Sequence, residues 1–175
     1  PMPSTYSPNL RIELIASGEQ ANTWGNTTNT NLGTLIESAI AGLVEIDVTA
    51  GNVTLLALDG ANDEARQMVL NVTGTPSAPR SVLCPDAVTK VYIVANNSTR
   101  VVTITTVSGA GISIPVGGVQ VVYSDGTNVL EAGTSVNSLE VTGNLVVGGS
   151  TIIDHALEVG GTTTLAASLT GLLKA

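Results

Sequence analysis

Residues 139–174 read LEVTGN LVVGGS TIIDHA LEVGGT TTLAAS LTGLLK when the chain is divided every six residues. The first place in a block is Leu or Thr, the third is Val, Ile or Leu in five of the six blocks, and the fifth is often Gly. Places one, three and five share parity, so on an extended chain they point the same way. Aliphatics at one and three with Gly at five describe a short strand followed by a bend. Glycines such as Gly143 and Gly149 supply the φ > 0 or close backbone approach that a bend requires. The two Leu-Glu-Val triplets begin at Leu139 and Leu157, three blocks apart, which fits one circuit of a three-sided prism.

Two architectures use such a pattern. One is a single-chain left-handed β-helix, the scaffold of hexapeptide-repeat acyltransferases; the other is a shaft in which three chains wrap a common threefold axis. A repeat buries its apolar face only by stacking on neighbours, and about three full units are needed for stability. Six blocks make two circuits of a single-chain helix, which is too few, whereas three chains triple the apolar surface per unit length. The pattern predicts a trimeric β-prism, or triple-β-helix, shaft over residues 133–175. Leu139, Val141, Leu145, Val147, Ile153, Leu157, Val159 and Leu165 form its expected core.

Composition agrees with a β-rich chain. Of 175 residues, 43 % are hydrophobic but only 2 % aromatic, with one Trp, three Tyr and no Phe, so any core is built from Val, Leu, Ile and Ala. Branched aliphatics suit a pleated surface. A net charge of −8 repels a phosphate backbone, and nucleic acid is not an expected partner. Cys84 is the sole cysteine, which excludes an intrachain disulfide or a zinc knuckle and reads as a small buried hydrophobe. No basic-then-apolar leader and no run of about 18 apolar residues occurs, so neither secretion nor membrane insertion is expected. Asn-x-Ser/Thr triplets, such as those at Asn26, Asn52, Asn71 and Asn97, read as chance in a chain rich in Asn and Thr.

Upstream of the hexads, Leu10, Ile12 and Leu14 fall on one face of a short strand, and a polar stretch containing Trp24 follows, so residues 1–30 read as an N-terminal attachment arm. Leu32, Leu35, Ile36, Ala39, Ile40 and Leu43 recur at helical spacing, with Thr30 or Asn31 able to cap, which predicts an amphipathic helix over 31–43. From Val44 the period becomes two. Eight short runs separated by Gly, Pro, Asn and Ser clusters predict a β-sandwich or jelly-roll-like domain over 31–132. A helical turn within DGANDEARQ is a further expectation.

The opening SPNLRIELIASGEQANTWGNTTNTNLGTLIESAIAGLVEIDV, the β-domain after it and VNSLEVTGNLVVGGSTI together resemble the N-terminal part of tail fibre proteins of tailed bacteriophages. ANTWGNTTNTNL is the most particular of these stretches. The resemblance implies a homotrimer made in the host cytoplasm and carried on the virion. Its N-terminal region binds other virion proteins, tail or adaptor, and its shaft leads to a receptor-binding tip that could take a host surface glycan. No tip is recognisable up to Ala175, which leaves a tail fibre and a shorter head or neck fibre both open.

Candidate chemistry is sparse. His155 beside Asp154 is the one general-base arrangement, but no nucleophile or oxyanion motif accompanies it, and an imidazole lining the shaft is the simpler reading. Asp59, Asp63 and Glu64 in DGANDE depart from the alternating ligands and central Gly of a calcium loop, so a turn is expected rather than a metal site. The glycines of VSGAGISIP and VGGVQ precede strands, not a helix N-terminus, and read as turns rather than a phosphate cradle. No catalytic residue, cofactor or metal is expected. Leu10, Ile12, Leu14 and Trp24 are the candidate attachment residues, and Trp24 docks either on a neighbouring chain or virion or back on its own domain. Two rivals remain: an acyltransferase-like enzyme using His155, and a capsid-decorating or carbohydrate-binding module reading through Trp24, Tyr6, Tyr92 or Tyr123.

Overall fold

Alternate burial builds the strands. Along β7 (Thr89–Asn96), Tyr92, Val94 and Asn96 are fully buried, while Ile93 and Ala95 between them are half-buried and Val91 before them is exposed. The same period of two runs through β5 (Val69–Thr73), β6 (Arg80–Cys84), β8 (Val102–Thr106) and β10 (Val119–Asp125). With β3 (Leu43–Asp47), β4 (Val53–Thr54) and β9 (Gly111–Ile114), all eight expected strands are present. A ninth, β11 (Val129–Glu131), lies where the sequence pattern fades. The computed structural model describes residues 3–133 and residues 135, 141, 142, 144 and 147. The chain divides into two compact units, Pro1–Val136 and Asn137–Ala175.

These strands form a five-stranded sheet ordered β11-β10-β7-β5-β3 and a four-stranded sheet ordered β4-β6-β8-β9. Ile46, Leu70, Tyr92, Val94 and Val122 from the first join Val82, Cys84, Val102, Ile104 and Ile114 from the second in one apolar core. The fold is therefore mainly β with mixed sheets, built from aliphatics as the composition requires.

The pairing differs from that of a jelly roll, whose strands are antiparallel. Here β3, β5 and β7 are parallel neighbours, and so are β4, β6 and β8. From β3 to β8 the chain alternates between the sheets and returns to the same sheet after about 25 residues, as the partners Leu43, Val69 and Ile93 show. Among the described residues of the two sheets, only the β8–β9, β7–β10 and β10–β11 pairs are antiparallel. The Gly, Pro, Asn and Ser clusters lie between strands, but several form corners between sheets rather than hairpins. At the corner after β7, buried Asn96 uses its whole amide: Nδ2 donates to the carbonyls of Arg100 and Ile114, and Oδ1 accepts from the Ser98 backbone N–H and hydroxyl.

The N-terminal residues are ordered against this unit. β1 (Thr5–Tyr6) pairs antiparallel with β2 (Glu13–Leu14). Asn9 accepts from the Thr89 backbone N–H, the Arg11 carbonyl accepts from the Gly60 N–H, and Arg11 pairs with Asp59 at 2.8 Å. The helix is longer than expected at its start and ends earlier: α1 (Trp24–Thr30), a π-helical turn (Asn31–Ile36) and α2 (Glu37–Ala41) follow one another, in place of a helix over 31–43. Intrinsic propensity disfavours helix in WGNTTNT. Tertiary bonds override it: Asn31 donates to the Glu13 carbonyl and accepts from the Glu13 N–H, tying the helix to β2. The expected apolar helix face splits, with Leu35 and Ala39 buried and Leu32 and Ile40 exposed. The helix ends where the backbone becomes extended at Gly42, a position that only glycine fits because a Cβ there would collide with the Ser38 backbone and the Gln67 side chain.

DGANDEARQ forms a turn rather than a helical turn, closed by the Gln67 N–H on the Glu64 carbonyl.

Candidate attachment surface and buried polar groups

The four candidate attachment residues divide in two. Leu10 and Ile12 are half-buried, whereas Leu14 at 51 % and Trp24 at 61 % exposure face outward. Trp24 opens α1, its N–H bonded to the Gln20 carbonyl, and Gln20 is held in turn by Glu13 and Thr27. Of the two dockings open to Trp24 in the sequence, folding back on its own domain is not the one adopted in the single chain. A large amphipathic ring fixed on an ordered helix and left in solvent is the kind of group that anchors an interface.

Of the shaft residues, Val141 and Val147 are described and are exposed, at 41 % and 49 %. Leu139, Leu145, Ile153, Leu157, Val159 and Leu165, with Asp154 and His155, lie outside the described residues.

The acidic turn separates its carboxylates instead of converging them. Asp59 pairs with Arg11, Glu64 accepts from the Leu56 N–H, and Asp63 accepts from the Leu58 N–H, the Arg66 N–H and Arg66 Nη2. Among the described residues no three His, Cys, Asp or Glu side chains form a metal-sized cluster. Asp63 and Arg66 are instead a buried ion pair, each side chain 2 % exposed. Arg66 Nη2 also donates to the carbonyls of Leu58 and Ala61, so the pair stitches the loop closed. A cavity of about 10 Å³ beside it, lined by Asn9, Arg11, Asp63 and Arg66 among others, is water-sized.

A second polar group sits at the edge of the core. Lys90 Nζ donates to the carbonyls of Gln67 and Val91 and lies 4.3 Å from the Tyr92 ring centroid, and the Tyr92 hydroxyl donates to the Ala65 carbonyl. Burial lowers the Lys90 ammonium to about 8, with the Arg66 charge adding to the effect and Cys84 and Asp63 opposing it. Burial pushes the Cys84 thiol up to about 12 and raises the Tyr92 phenol above its ordinary range. A thiol held protonated is a packing group rather than a nucleophile. Sequence reasoning passed over both clusters. The signal for the first was an Asp three residues before an Arg inside a short loop; for the second, a Lys of the same strand parity as Tyr92 and Val94.

No protein-family model, no curated protein and no solved structure matches this chain.

Proposed function

We propose that this chain is a structural protein of a tailed-bacteriophage particle without enzymatic activity: a homotrimeric tail-fibre segment that attaches to other virion proteins by its N-terminal region and projects a shaft toward the host. The observation that carries the proposal is the six-residue recurrence over residues 139–174, which needs partner chains to bury its aliphatics. The exposed Trp24 and Leu14 on an ordered hairpin and helix support the attachment role. The exposure of Val141 and Val147 in the single chain is in keeping with side chains that wait for partners. The finer architecture belongs to the same proposal: a sandwich-like head of nine strands followed by a β-prism shaft, the shaft closing its edges by pairing with its own copies.

Sedimentation velocity of the full chain tests this reading. A particle of three chains with a frictional ratio well above that of a compact sphere is the expected result, and a compact particle of one chain overturns it.

A further inference from the structure

The two sheets share one core, yet their outward faces differ in chemistry. On the four-stranded sheet the outward positions are mostly hydroxyls: Ser81 pairs with Thr103, and Thr103 with Ser113, its hydroxyl 3.0 Å from that of Ser113. That is the ordinary wet face of a sheet with one side in the core. On the five-stranded sheet an unbroken apolar row, Leu43, Val69, Ile93 and Val121, crosses four strands in register. Beside it Val91, Tyr123 and Leu130 make a second row across β7, β10 and β11. Neither row carries a charge. Of the acidic groups of this face, Asp47 and Asp125 stand at strand ends, and Glu45, midway along the edge strand β3, lies in the neighbouring row Glu45, Asn71, Ala95 and Val119, outside both apolar rows.

This face is also open. Leu43 is 63 % exposed, Val119 68 %, Val91 and Val121 46 %, and Tyr123 and Leu130 37 %. At about 80 Å² each these six present about 500 Å², near the upper end of what a monomer leaves uncovered. With an apolar share of about 60 %, that corresponds to an interface of about 800 Å² per partner, the size a stable pair of proteins buries.

We propose that the outward face of the five-stranded sheet is a self-association surface, occupied by a second copy of this chain. Charge selects that occupant. The chain carries −8, so copies meet without like-charge repulsion only through a patch that holds no charge, and these two rows provide one. A basic partner would be drawn to the acidic surface elsewhere and gains nothing from this face. The inference deepens the trimeric reading and rests on it for the number of copies, but it assigns association to the β-domain as well as to the hexads.

The test uses the full chain with two readouts. In the first, Val121→Cys and Ser113→Cys report the two outward faces through maleimide labelling, since native Cys84 is buried. The expected result is labelling of Val121→Cys slowed at least about tenfold relative to Ser113→Cys, as a covered face requires. In the second, Val119→Asp/Val121→Asp raises the concentration of half-dissociation by about a hundredfold, while Ser113→Asp leaves it unchanged. Both substituted valines are exposed, and Val119→Asp alone carries the second readout should the double variant fail to fold. Equal labelling of the two faces overturns the inference. Slowed labelling with undiminished association of the Asp variant also overturns it, since the cover is then not a second copy. In either case a trimeric wild type leaves the fibre reading standing, whereas a wild type that is monomeric at every concentration removes both.

Discussion

Replacing Asp63 with Ala removes the counter-charge of a guanidinium that is 2 % exposed. The Asp63 carboxylate accepts three bonds, from the Leu58 N–H at 2.7 Å, the Arg66 N–H at 2.8 Å and Arg66 Nη2 at 3.1 Å. Its loss strands a buried cation and two backbone donors together. Breaking a buried pair from one side costs about 3–5 kcal/mol. The carbonyls of Leu58 and Ala61 still hold Arg66 Nη2, which places this site near the middle of that range, about 4 kcal/mol. For a unit of this size that is a fall in Tm of about 10–15 °C. Arg66→Met costs less, about 2 kcal/mol, because the remaining carboxylate keeps both backbone N–H donors. In the Arg66→Met background, Asp63→Ala then costs about 2 kcal/mol less than in the wild type, the coupling of a direct pair. Urea unfolding of the four proteins, followed by circular dichroism at one fixed protein concentration, measures the cycle. A cost for Asp63→Ala below about 1 kcal/mol, or strict additivity of the two substitutions, refutes the reasoning.

Three further outcomes are expected. Below pH 8 both folded and unfolded chains carry the Lys90 proton; between about 8 and the ordinary 10.5 only the unfolded chain binds it, so this group adds stability as pH rises through that window. The stability of wild type minus that of Lys90→Met therefore increases from pH 7.5 to pH 10 in thermal melts, and a flat difference contradicts the burial argument. The Cys84 thiol, held up to about 12, is a thousandfold poorer in thiolate at pH 8 than an ordinary thiol; labelling with a disulfide reagent should be at least about that much slower in the folded chain than in guanidinium, and comparable rates would place Cys84 at the surface. Asn96→Asp turns two donors into acceptors facing the carbonyls of Arg100 and Ile114, and should lower stability by about 3 kcal/mol at pH 7; a neutral effect in urea unfolding would show that the corner after β7 does not depend on that amide.

Strand positions were legible in this sequence because β-branched and aromatic residues cluster in short runs such as Lys90–Asn96 and Val102–Thr106, and because Gly, Asn and Pro punctuate the runs. Strand partners were not. A corner such as Asn96–Arg100 and a hairpin turn such as Asp125–Asn128 draw on the same residue types, and only the first leads to a strand, β8, that lies parallel to the strand one circuit earlier, β6. The start of the helix was hidden for a different reason. Nothing local in WGNTTNT favours it, and its support comes from Asn31 bonding to the backbone of Glu13, eighteen positions earlier. The exposed side of Trp24 agreed with its polar surroundings in sequence, whereas Leu10 and Ile12 share strand parity with Leu14 and still came to be half-covered. The open face of the five-stranded sheet was present in the sequence as Val91, Val119 and Val121, but aliphatics in a strand read as core until strand register shows which of them point away from it.

The claim on which the account turns is that copies of this chain associate, through the hexads and through the open sheet face. Light scattering gives the native mass of the full chain directly, across a range of protein concentration. The mass of three chains is expected at micromolar concentration and above, and a particle with the mass of a single chain at every concentration would contradict association of the copies.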